Sequence, residues 1–250
     1  MDPKLELLNL KTSLSAIADL VLPRVCVVCG RALLLQERHI CTTCMADLPE
    51  THFAACSHNP MADRFNSMID NERFEPYAYA AALFHYVDDS DYRNITRSLK
   101  YGGDVHAGRY FSRMLAARLG ASIFYSDVDL VLPVPLHPTR RRARGYNQSE
   151  VIAKELADRL GADLETKLLV RTRKTRSQTQ LSGEDKKTNV AGAFALRTER
   201  IRSLGMQPKH ILIVDDVFTT GATLAACHAA LRQGFGFEVR ISVASLAFAG

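Results

Sequence analysis

Residues 211–223, ILIVDDVFTTGAT, constrain the fold of this chain most. A short continuous apolar run is the pattern of a strand buried on both faces, as in a parallel sheet. Asp215 and Asp216 follow, then Thr219, Thr220, Gly221, Ala222 and Thr223 lead into a helical pattern. In open parallel sheets ligands collect at the carboxyl ends of strands. A loop there that opens a helix offers unpaired backbone N–H groups and a favourable dipole to an anion. Gly221 lets the backbone approach a phosphate closely, and the threonine hydroxyls add donors. Two adjacent carboxylates can accept hydrogen bonds from vicinal ribose hydroxyls. The segment therefore reads as a pocket for a ribose phosphate.

The rest of the chain supplies an α/β frame for that pocket. Strands are expected at 77–86, 130–134, 193–196, 210–214 and 239–247, and helices at 92–100, 105–119, 148–160 and 222–233. Their alternation predicts a parallel sheet with helices on both faces. Leu7, Leu10, Leu14, Ile17 and Val21 recur at helical spacing, so residues 1–23 should form an amphipathic helix ended by Pro23. Residues 24–50 form a cysteine-rich module. Residues 51–76, punctuated by Pro60 and Pro76, are expected to be a linker, and 77–250 the α/β domain. No apolar run approaches the roughly 20 residues of a membrane-spanning helix. The first residues lack the pattern of a secretory signal, which points to the cytoplasm.

In such a chain paired cysteines more often bind metal than form disulfides. Cys26 and Cys29 form one C-x2-C pair, and Cys41 and Cys44 another, with eleven residues between the pairs. Two such pairs can complete a closed, tetrahedral four-thiolate site, which makes zinc the expected structural metal. His39 and Cys56 are weaker alternatives as ligands.

Basic residues cluster twice, although the formal net charge is only +5. Arg140, Arg141, Arg142 and Arg144 follow the strand at 130–134 and its exit, Pro135, Leu136 and His137. Arg171, Arg173, Lys174 and Arg176 open a long polar stretch, RTRKTRSQTQLSGEDKKTNVAGAF. Such patches favour phosphates, on a small substrate or on nucleic acid, and each also reads as a solvated face.

The segment at 211–223 resembles the signature of type I phosphoribosyltransferases. That resemblance implies that Asp215 and Asp216 hold ribose hydroxyls while Thr219 to Thr223 cradle the 5′-phosphate of phosphoribosyl pyrophosphate. It implies a pyrophosphate and magnesium region at Pro135, Leu136 and His137. It further implies a mobile loop that brings Arg173, Lys174 and Arg176 to the leaving group as catalytic cations. With the cysteine pairs, and with DLVLPVPLHPTRRRARGYNQSEVIAKELA from 129 to 157, the chain resembles the ComF family. The family implies a phosphoribosyltransferase-like domain and a link to the handling of DNA taken up during competence. Three functions then compete: a transferase with an unread acceptor, a phosphoribosyl pyrophosphate sensor without turnover, and a single-stranded DNA-binding module. The last would use Arg140, Arg141, Arg142 and Arg144 and act with a helicase-like competence protein.

Overall fold

The computed structural model describes residues 23–69, 75–173, 192–205 and 207–250. Residues 1–22 of the helix expected over 1–23, and Lys174 and Arg176, lie outside these residues. In chain order the described elements begin with α1 (Thr42–Ala46), α2 (Pro60–Asn66), β1 (Ala80–His85) and α3 (Arg93–Arg97). A π-turn at Ser98–Gly102 leads to α4 (Val105–Gly120), β2 (Leu130–Pro133), α5 (Pro138–Arg144), α6 (Gln148–Leu160) and β3 (Asp163–Leu164). The chain continues with β4 (Leu169–Arg171), β5 (Phe194–Leu196), α7 (Thr198–Arg202), β6 (His210–Phe218), α8 (Ala222–Leu231) and β7 (Arg240–Phe248). Among the described residues no helix is long and apolar enough to cross a membrane.

Five strands form one parallel sheet in the order β1-β7-β6-β2-β3. Residues Ile211 to Val214 of the central β6 are fully buried, as their unbroken apolar run requires. The crossovers β1-α4-β2 and β2-α6-β3 run toward one edge, and β6-α8-β7 runs back toward the other. Right-handed connections therefore put α4 and α6 on one face and α8 on the opposite face. Ile152, Ala153, Leu156 and Ala157 form the buried stripe of α6, at the spacing of a helix face. Phe65 of α2 meets His228 of α8 at 5.9 Å between ring centroids.

The expected parallel sheet flanked by helices is thus the observed one, with one addition. β4 and β5 pair antiparallel as a separate two-stranded sheet, so the long polar stretch joins the two strands of a hairpin. The segment expected as a linker also differs. Asn59 caps α2 by accepting from Ala62 N at 3.0 Å, and Pro60 occupies the first turn. Met61, Ala62 and Phe65 are buried in the core shared with the sheet. Residues 49–51 run along the outer edge of β1, with Thr51 N donating to Leu83 O and His85 N to Pro49 O. That covers a sheet edge otherwise left unpaired.

Candidate functional site

β2 and β6 are neighbours whose chains leave to opposite faces, and a crevice opens at the carboxyl ends of such strands. β2 stays in register with β6 only as far as Pro133 opposite Val214, whereas β7 follows β6 to Phe218. Beyond Val214, the β2 side of β6 is open. Asp215 and Asp216 lie there, within the strand rather than after it, which corrects the expected strand end at Val214. A cavity of about 650 Å³ occupies the crevice.

Asp215 Oδ1 accepts from Ser149 Oγ at 3.0 Å and from Asp216 N at 2.9 Å. Burial, and then the charge of Asp216, push the Asp215 carboxyl up to about 7. Lys100 Nζ meets Asp216 Oδ2 at 2.9 Å. Burial pulls the Lys100 ammonium down, but Asp216 and then Asp215 outweigh it and hold its pKa above the ordinary value. Tyr146 fixes this segment by donating its hydroxyl to Leu99 O. Arg171, on β4, reaches the cavity from the hairpin; burial and then Arg140 lower its pKa.

The expected phosphate loop wraps the start of α8. Gly221 is its N-cap at φ +82°, and a Cβ there would stand 2.7 Å from Phe218 Cζ and 3.1 Å from Met68 Sδ. Thr219 and Thr223 line the cavity, while Thr220 Oγ1 accepts from Ala222 N at 3.4 Å.

The arginine cluster is a helix rather than a loop. His137 caps α5 through Nδ1, Pro138 takes the first turn and Gly145 closes it at φ +84°. Spacing of four puts Arg140 and Arg144 on one side, and both line the cavity. Arg141 instead pairs with Glu150 at 3.2 Å, and Arg142 is exposed. Leu136 lines the cavity; Pro135 and His137 are not among its lining residues, nor is the exposed Arg173. Of the second basic cluster Arg171 lines the cavity, and sequence reasoning missed Lys100, Tyr101, Tyr146, Gln148 and Ser149 as part of it. The glycine pair in KYGGD and the polar run YNQS ahead of a helix are the local signals that mark them.

The four expected cysteines converge. Their Sγ atoms all lie within 4.8 Å of one another, and Cys29 and Cys41 are 3.8 Å apart. Tetrahedral zinc thiolates would stand roughly 3.8 Å apart, given Zn–S bonds of about 2.3 Å. The fit to zinc is therefore good. Cys41 N donates to Cys26 Sγ, and Cys44 N to Cys41 Sγ. Donation from Cys44 N is the main reason the Cys41 thiol is lowered to about 7. The buried Glu37 carboxylate ties the two knuckles, accepting from Leu34 N, Thr42 N and Thr42 Oγ1. Neither His39 nor Cys56 belongs to the cluster.

No family model matches the chain. DNA utilization protein YhgH of Shigella flexneri is 30% identical over 205 residues, covering 80% of this chain and 81% of that protein. Competence protein F of Haemophilus influenzae is 23% identical over 216 residues, covering 83% and 90%. A hypoxanthine phosphoribosyltransferase structure from Staphylococcus aureus aligns at 18% identity and TM-score 0.33, over 58% of this chain and 64% of that one.

Proposed function

The chain belongs to the ComF family, and from that premise we propose that its crevice binds phosphoribosyl pyrophosphate with magnesium in a protein serving DNA uptake during competence. One observation carries the reading. Two adjacent acids, a threonine-rich helix N-terminus and the cations Lys100, Arg140, Arg144 and Arg171 meet in a single cavity. Four cations against two carboxylates leave a surplus of positive charge, which suits a ligand with a phosphate at one end and a diphosphate at the other. Asp215 and Asp216 face the ribose hydroxyls, and the start of α8 takes the 5′-phosphate. They are also the carboxylates among the lining residues, so magnesium would be held largely by the ligand's own oxygens and water.

In a transfer reaction the acceptor's nucleophilic atom bonds to the anomeric carbon as the bond to pyrophosphate breaks and its electron pair leaves with that group. The cations at the cavity wall stabilise the charge that develops on the leaving oxygens. Arg173, Lys174 and Arg176 would add to this stabilisation. Magnesium-dependent release of pyrophosphate on addition of an acceptor tests turnover. Saturable binding without any release would make the protein a sensor.

A second reading rests on Tyr101, which is 80% exposed at the cavity mouth with the Arg144 guanidinium 5.5 Å from its ring. An exposed aromatic beside arginines is a stacking surface for a base of single-stranded DNA. Binding of single-stranded DNA that weakens with salt and with Tyr101→Ala tests it, as does capture of a helicase-like competence protein on that DNA.

A further inference from the structure

Gln148 is the first residue of α6 and is 2% exposed, yet it lines the cavity. Its Nε2 is buried and has no hydrogen-bond partner among the described residues. Its neighbours in sequence are fully engaged. Asn147 caps α6 by accepting from Ser149 N at 3.2 Å and donates to Val134 O at 3.0 Å. Ser149 donates to Asp215. A carboxamide held between two anchored residues has little freedom to find another partner, and buried polar groups are rarely left unmet.

We infer that Gln148 is a ligand-binding residue whose carboxamide N–H donates to an oxygen of the diphosphate arm. This rests on the reading of the crevice as a phosphoribosyl pyrophosphate site. Three features point to the diphosphate rather than the sugar. The carboxamide sits at the N-terminus of a 13-residue helix, where the dipole favours an anion. Lys100, Arg140 and Arg171 line the same cavity. The second helix N-terminus at the crevice, that of α8, is the one that takes the 5′-phosphate. The two ends of the ligand thus meet two helix N-termini on opposite faces of the sheet, with the acids of β6 between them.

Calorimetric titrations of the intact chain with inorganic pyrophosphate, ribose 5-phosphate and phosphoribosyl pyrophosphate, each with magnesium, separate the possibilities. Gln148→Leu should weaken pyrophosphate and phosphoribosyl pyrophosphate about tenfold or more, the loss expected for one hydrogen bond to a charged group. Its affinity for ribose 5-phosphate should not change. Gln148→Glu should weaken pyrophosphate further, through like charge. Without ligand, Gln148→Leu should melt no lower than the native chain, because an unmet buried donor has been removed; a purely structural glutamine would give the reverse. Unchanged pyrophosphate affinity in both variants, or a loss confined to ribose 5-phosphate, would overturn the inference while leaving the crevice reading intact. A native chain that binds none of the three ligands would overturn both.

Discussion

Asp215 concentrates the physical tension of the site in one carboxyl group. Its folded value, pushed up to about 7, lies above its ordinary value of 3.8. The folded chain therefore holds a proton that the unfolded chain has already lost, and stability falls as pH rises through about 4 to 7. Asp215→Asn removes that burden. Its melting temperature relative to the native chain should rise between pH 4 and pH 8, while ribose-phosphate binding is lost; a pH-independent difference would refute the assignment. Another residue-scale constellation invites a different reading. His210 Nδ1 meets Asp127 Oδ1 and His210 Nε2 meets Ser242 Oγ, each at 2.7 Å, in the order of a hydrolase triad. Ser242 and His210 are both fully buried, and Ser242 Oγ also accepts from Tyr79 N, so no substrate reaches the hydroxyl. The network is structural. His210→Ala should destabilise the chain by about 2–4 kcal/mol in urea unfolding, through a cavity and an unpaired serine, without altering ligand binding.

Helix termini do most of the positioning at the scale of elements. α8 begins at Gly221, where a positive φ and a close approach to Phe218 and Met68 coincide. Gly221→Ala should cost about 2–4 kcal/mol, because the left-handed backbone and the crowding each add strain. Chemical denaturation measures it, and a loss below about 0.5 kcal/mol would show that the loop relaxes freely. Which elements were legible in the sequence follows from the same local physics. Apolar runs such as ILIV and the periodic stripe of α6 announce themselves, as does the strand-turn-helix at 211–223, because burial and chain geometry there are local. α5 was hidden because three consecutive arginines carry no apolar period, although Pro138 and Gly145 mark its two ends. α2 was hidden because Asn59 and Pro60 at its start read as loop, while the residues that hold it, Met61 and Phe65, are matched by β1 and α8 farther along the chain. The arrival of Lys100, Gln148 and Arg171 in one cavity depends on crossovers that no local pattern records.

Across the whole molecule the cysteine module and the α/β body share one core. Cys26, Val28 and Ile40 join the buried cluster of the sheet. Tyr92 donates to Cys44 O at 2.9 Å, Asn94 to Val28 O at 3.2 Å, and Arg118 forms a two-point pair with Glu50 at 3.0 and 2.9 Å. Metal at the four thiolates should therefore stabilise the body and not the module alone. A strong zinc chelator should lower the melting temperature of the entire chain in one transition, and zinc should restore it; an unchanged transition would mean that the thiols carry no metal. Binding of phosphoribosyl pyrophosphate in the crevice depends on the whole fold, because the exit of β2 together with β6, α5, α6 and α8 all contribute lining residues. It is tested most directly by calorimetric titration of phosphoribosyl pyrophosphate with magnesium into the native chain and into the Asp215→Ala, Asp216→Ala double variant. Saturable binding to the native chain, weakened at least about a hundredfold in the double variant, is the predicted result. No binding, or equal affinity in the two proteins, would contradict it.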